Sequence, residues 1–189
     1  MTPFDVPKPK APWVVFGPRE TVEFEEQALA LRAAGGRVYE LQARDLRDEV
    51  STCEAFARAV GAPGYFGWNW DALVDCLDDL HDQLTGGVGI VVLVHGADEL
   101  LGANHLRVLM SSLCLAADRT NTEVDSDGEP RGRPVVIEHF LFLLDEVRAE
   151  EFKVEIEDPD LAVAVEGDFL TVALNLTVWR PSISDPRVH

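Results

Sequence analysis

The sequence predicts an α/β fold: a small parallel sheet of three to four strands flanked by helices, with extra antiparallel strands at the C-terminal end. Three observations carry this expectation. GIVVLV (Gly89–Val94) is apolar throughout, as a strand buried on both faces must be. Strand-like and helix-like segments alternate from Trp13 to Leu144, the order that parallel strands need for their crossovers. Beyond Asp145, KVEIED, LAVAV and FLTVALNLTVW alternate or run apolar around EGD (Glu166–Asp168), which reads as a hairpin turn.

Taken in order, WVVF (Trp13–Phe16) is a short strand after a proline-rich start, and Glu20–Ala34 follows with helical spacing at Phe24, Ala28 and Leu31. Gly35 and Gly36 stop that helix. RVYELQ (Arg37–Gln42) has the branched and aromatic content of a strand. Ser51 can cap a helix running to Val60, with Glu54 completing a capping box. A glycine-rich loop then leads into an aspartate-rich helix, and Asn104–Ala117 reads as another helix after the Gly89–Val94 strand. Residues 119–134 (RTNTEVDSDGEPRGRP) are polar and breaker-rich, hence a long mobile loop, and PVVIEHFLFLL resumes a strand pattern. No helix is evident beyond Asp145. The expected organisation is an N-terminal strand-helix extension (1–36), a central domain (37–144) and a C-terminal β extension packed on it (145–189).

The chain has 189 residues, enough for one sizeable domain, and its 34 acids against 16 bases give a formal net charge of −18. Such a balance argues against nucleic acid or an anionic membrane as partner and favours a cationic one. Cys53, Cys76 and Cys114 form no CxxC pair, and no histidine stands at metal-ligand spacing, so neither a metal nor another cofactor is expected. Odd, scattered cysteines fit a reducing cytoplasm. The N-terminus lacks the pattern of a secretory signal, and no apolar run is long enough to cross a bilayer.

The segment GYFGWNWDALVDCLDDLHDQL, residues 64–84, carries five aspartates and no lysine or arginine. At 100° per residue with Leu73 at zero, Leu77, Leu80 and Leu84 fall within about 40° and Trp70 at about 60°. Asp71, Asp75, Asp78 and Asp82 fall between about 140° and 200°, with Asp79 near 240°. The carboxylates thus form one strip opposite the core face, about 16 Å long from Asp71 to Asp82. Like charges at i,i+4 destabilise a helix by roughly 0.2–0.5 kcal/mol per pair, so the strip has a cost. A solvated polar face is the plain explanation. Against it stand the absence of any arginine in this helix and the aromatic residues crowding its entrance, GAPGYFGWNW (Gly61–Trp70). There Tyr65, Phe66, Trp68 and Trp70 sit among turn-forming glycines; burial is the default for each, and Phe66 and Trp70 are the better core candidates. Rigid aromatics beside a charge strip nevertheless suit a protein interface, with anchors for packing and charges for steering.

PGYFGWNWDALVDCL (Pro63–Leu77) resembles the barstar family, intracellular inhibitors of barnase-type secreted ribonucleases. The matching positions are Pro63, Tyr65, Phe66, Gly67, Asn69, Asp71, Ala72, Leu73, Asp75 and Leu77, and the order of flanking elements extends the resemblance from Arg37 to about Leu144. It implies a barstar-like three-layer fold and inhibition without chemistry, in which the acidic helix and its preceding loop plug a ribonuclease active site. By position, Tyr65 would stack at that site, Asn69 and Asp71 would hydrogen-bond basic residues, and Asp75 would be the deepest phosphate mimic. Partner-binding candidates are Tyr65, Gly67, Trp68, Asn69, Trp70, Asp71, Val74, Asp75, Asp78 and Asp79. The chain departs from the family's best-known member at Gly64, Trp70, Val74 and Asp78–Leu80, so the extra aspartates are its own and its partner surface need not be barnase's. Glu123, Asp125, Asp127 and Glu129 are candidates for a further acidic contact.

Two other readings stay open. The same fold could bind a basic partner that is not a ribonuclease. Alternatively, a small hydrolytic enzyme could use His95 and Asp98 after the Gly89–Val94 strand, where α/β sheets often place sites. No nucleophile-base pattern supports that enzyme, and GGVG (Gly86–Gly89) precedes a strand rather than opening a helix, the wrong context for a dinucleotide. The sequence does not address oligomeric state.

Overall fold

Continuous apolar strands and amphipathic helices assemble here into three layers. The structure, a computed structural model, describes residues 12–62, 67–80, 89–122 and 138–175. In chain order it contains β1 (Val14–Pro18), α1 (Val22–Ala33), β2 (Arg37–Gln42), α2 (Glu49–Val60), α3 (Trp70–Asp79), β3 (Ile90–His95), α4 (Leu106–Thr122), β4 (Glu138–Leu144), α5 (Ala149–Ile156), β5 (Leu161–Glu166) and β6 (Phe169–Leu174). The strands form one mixed sheet in the order β2-β3-β4-β1-β6-β5. Its first four members run parallel, while β6 pairs antiparallel with both β1 and β5.

Strand residues alternate between two cores, as the period of two requires. Val15, Val91, Leu93, Leu141 and Leu143 face α1, which covers them with Phe24, Ala28 and Leu31. Val14, Phe16, Val92, Val94, Phe140 and Phe142 face the opposite layer, built from α2, α3, α4 and α5. Phe16 stacks on Phe142 at 4.6 Å between ring centroids and tilts against Phe152 of α5 at 4.8 Å. The N-terminal strand therefore lies within the sheet, with β4 on one side and β6 on the other. The expected antiparallel addition is the β5–β6 hairpin, which turns through Gly167 at φ 61°, a conformation costly for any residue with a Cβ.

The local readings need three corrections. The cap of α2 is Asp48: its side chain accepts from the Ser51 backbone N–H at 2.8 Å, and the Ser51 hydroxyl accepts from the Asp48 N–H at 3.0 Å. Ser51 is thus the third helical residue of the box, displaced by a better acceptor three positions earlier, and the hydrogen bonds that its backbone N–H and hydroxyl donate to the Asp48 carboxylate hold that group below its usual pKa. Helix α4 continues to Thr122, so residues 119–122 are helical rather than loop. None of them is Gly or Pro, and the few tenths of a kcal/mol that polar or branched residues cost in a helix do not end one. Finally, KVEI belongs to α5. Its alternation imitates a strand, but in AEEFKVEI the buried residues Ala149, Phe152 and Ile156 recur at helical spacing.

Candidate protein-binding site

The turn into α3 is fixed by groups from two helices. Gly61, at φ 70°, ends α2 in the left-handed conformation and releases the chain toward the aromatic loop. Of that loop, Pro63, Gly64, Tyr65 and Phe66 lie outside the described residues, so the placement expected for Tyr65 is not addressed. Asn69 is the N-cap: its Oδ1 accepts from the Ala72 N–H at 2.8 Å. The Trp70 N–H, one of the amides a helix leaves unmatched at its start, donates to Glu49 Oε1 of α2 at 3.1 Å. Cys53 of α2 donates its thiol hydrogen to the Asn69 carbonyl, Sγ to O 3.4 Å. The Trp70 ring stacks on His105, centroids 6.0 Å apart and planes 17° from parallel, while His105 Nε2 lies 2.9 Å from the Leu46 carbonyl oxygen. Sequence reading missed Glu49, Cys53 and His105, because each meets the site only through packing between helices distant in sequence.

Burial and the neighbouring Glu49 carboxylate push the Cys53 thiol up to about 11, so it stays protonated and available as a donor. The folded state then holds a proton that the unfolded chain gives up near pH 9. The stability tied to this thiol is complete below pH 9 and falls as pH rises toward 11. Unfolding free energy measured between pH 8 and 11 is expected to decline more steeply for the parent chain than for Cys53→Ala, and an equal slope in both would remove this coupling.

Helix α3 divides as the wheel predicts. Leu73, Leu77 and Leu80 are buried, Trp70 is half-buried, and Asp71, Asp75 and Asp79 are exposed. Asp78 is half-buried at the margin of the strip. Gly67, Trp68 and Asn69 are exposed ahead of the helix, Trp68 at 50 % despite its size. Val74, named from its place in the motif, is only 4 % exposed and packs in the core beside Leu73, so it can shape the surface only from beneath. Asp82, His81 and Leu84 lie outside the described residues, as do Glu123, Asp125, Asp127 and Glu129.

The strip is not wholly without an answering cation. Arg119 of α4 places Nη1 3.7 Å from Asp75 Oδ1. The sequence showed no arginine within α3, and only the packing of α4 on α3 brings this one over.

At the far end of β3 the residues named for an enzyme have other duties. His95 Nε2 lies 3.3 Å from Glu40 Oε2. Glu40 is held below its usual pKa, first by its hydrogen bond from Arg32 and also by His95. Asp98 accepts from the Asp145 and Glu146 backbone N–H groups at 2.6 and 3.2 Å and lies 3.7 Å from Arg148 Nε. These contacts tie down the turn after β4, and none couples His95 to Asp98. Among the described residues no group of acids, histidines and cysteines could hold a metal ion, and no helix is long and apolar enough to cross a membrane.

A family model described as barstar (barnase inhibitor) matches residues 36–131, about half of the chain. The match takes in β2, α2, α3, β3 and α4; β1, α1 and everything from β4 onward lie outside it. No curated protein and no solved structure matches the chain.

Proposed function

Because the chain belongs to the barstar family, we propose that it inhibits a basic, barnase-type ribonuclease by seating α3 and the preceding aromatic loop in that enzyme's active site. The observation that carries this reading is the division of α3, with leucines buried on one side and Asp71, Asp75 and Asp79 exposed on the other. A ribonuclease holds its substrate through cations placed for successive phosphates, and a row of carboxylates on a rigid helix offers the same cations fixed counter-charges. Asp75 would enter deepest, flanked by Asp71 and Asp79 one turn away on either side. Asn69 spends its Oδ1 on the cap, which leaves its Nδ2 amide to donate outward. Trp68 would pack at the rim, and Tyr65 would stack at the active site. No bond is made or broken: the inhibitor acts by occupying the site, inside the cell that must be protected.

The test is stoichiometric titration of the purified chain into a barnase-type ribonuclease hydrolysing RNA. Inhibition saturating at one chain per enzyme is expected. Capture of basic proteins without loss of RNA hydrolysis would favour instead a barstar-fold module for a different partner, a reading consistent with the two aspartates, Asp78 and Asp79, that depart from the family pattern. RNA cleavage by the chain alone would overturn both. With a net charge of −18 and the strip exposed, association should be electrostatically steered. Its rate constant is expected to fall by roughly tenfold or more between about 0.02 and 0.15 M salt, measured by stopped flow; a salt-independent rate would show that the strip does not guide encounter.

A further inference from the structure

The pairing of Arg119 with Asp75 joins the last turn of α4 to the middle of the acidic strip. Among the described residues Arg119 is the cation that reaches the strip, and Asp71, Asp78 and Asp79 have no ion pair there. At 3.7 Å the contact is longer than an N–H···O hydrogen bond, and both side chains remain largely solvated, 43 % exposed for Arg119 and 76 % for Asp75. Such a pair is weak and readily exchanged. Its position is what matters, because it falls on the carboxylate that the proposed inhibitory mode uses most.

We propose that Arg119 is a built-in competitor for Asp75, which a cationic partner using that carboxylate must displace and which suppresses weak adventitious binding; the inference rests on the reading of α3 as the binding face. The cost of displacement is the same for all partners, but the return is not. A lone lysine or arginine on an unrelated basic protein merely replaces one solvated pair by another. A pocket with several converging cations engages Asp71, Asp75 and Asp79 together, and that engagement far outweighs the displacement of Arg119. An exposed row of unanswered carboxylates on so acidic a chain would attract any basic protein. Covering one of them internally lowers every such affinity by the same factor, which removes weak adventitious binding while a complex held by several converging cations stays saturated.

The test uses the full chain and a hexa-arginine peptide as a non-specific cationic probe, followed by titration calorimetry at low salt. Arg119→Ala is expected to tighten peptide binding by about two- to fivefold, the range an exposed ion pair allows. Arg19→Ala is the charge-matched control, since Arg19 pairs instead with Asp145 and its removal changes net charge equally. In an Asp75→Asn background, Arg119→Ala should do no more than that control. Peptide binding by Arg119→Ala no tighter than by Arg19→Ala would overturn the proposal, and weaker binding would show that Arg119 holds Asp75 in place. Thermal melts verify that each variant is folded. If the parent chain fails to inhibit a barnase-type ribonuclease, the functional reading falls, while the peptide series still decides whether Arg119 competes for Asp75.

Discussion

Asp75→Ala is expected to weaken the complex with a barnase-type ribonuclease by roughly 2–5 kcal/mol, or about thirty- to several-thousand-fold in Kd, while leaving the fold intact. That is the usual cost of leaving a desolvated cation without its partner, a range that barnase complexes themselves helped to establish. The stability side follows from small terms that nearly cancel. Losing the solvated pair with Arg119 costs about 0–1 kcal/mol. Removing the like-charge contacts of Asp75 with Asp71 and Asp79 returns about 0.2–0.5 kcal/mol each, and alanine is the better helix former. The melting temperature should therefore hold or rise. Calorimetric titration against the enzyme, paired with a thermal melt, separates the two effects. A variant that melts markedly lower would show Asp75 to be structural, and one that binds unchanged would move the site off α3.

Deleting residues 1–35, everything ahead of the family-matched segment, is expected to abolish cooperative folding. In a chain whose matched part folded independently, β1 and α1 would be dispensable. Here Val14, Val15 and Phe16 have no exposed surface, and β1 supplies the seam between the parallel strands and the β5–β6 hairpin. Its loss would strip a neighbour from both β4 and β6 and uncover Phe142 and Phe152. Loss of α1 would expose Val91, Leu93, Leu141 and Leu143 on the other face. Removing one buried phenylalanine costs about 3–5 kcal/mol, against a total stability of only about 5–15 kcal/mol for a domain of this kind. The truncated chain should give no sigmoidal unfolding transition by circular dichroism and poor dispersion by NMR. A sharp transition near that of the full chain would make β1 and α1 an independent addition.

How far the sequence could be read depended on the distance over which each feature is encoded. The α3 wheel was legible because Leu73, Leu77 and Leu80, at i, i+4 and i+7, admit one inward face, and the structure buries all three. Capping, too, is a contact between neighbours, as Asn69 Oδ1 and the Ala72 N–H show. The same locality misled at Ser51, where two acceptors three residues apart competed and Asp48 prevailed, and at Lys153–Ile156, where four residues are too few to tell period two from period 3.6. Val74 went astray for another reason. A motif position transfers a place in the sequence, whereas exposure is set by the packing around it, and here that leaves Val74 in the core.

The sequence by itself determined the class of fold, the acidic strip and its opposition to a leucine face, since charge, hydropathy and helical period are properties of short segments. Only the tertiary structure decided that β1 would lie within the sheet, that Glu49, Cys53 and His105 would hold the start of α3, and that Arg119 would arrive at Asp75. Those outcomes depend on which surfaces pack together. That choice is made by burying apolar area across the whole chain, and no local pattern encodes it.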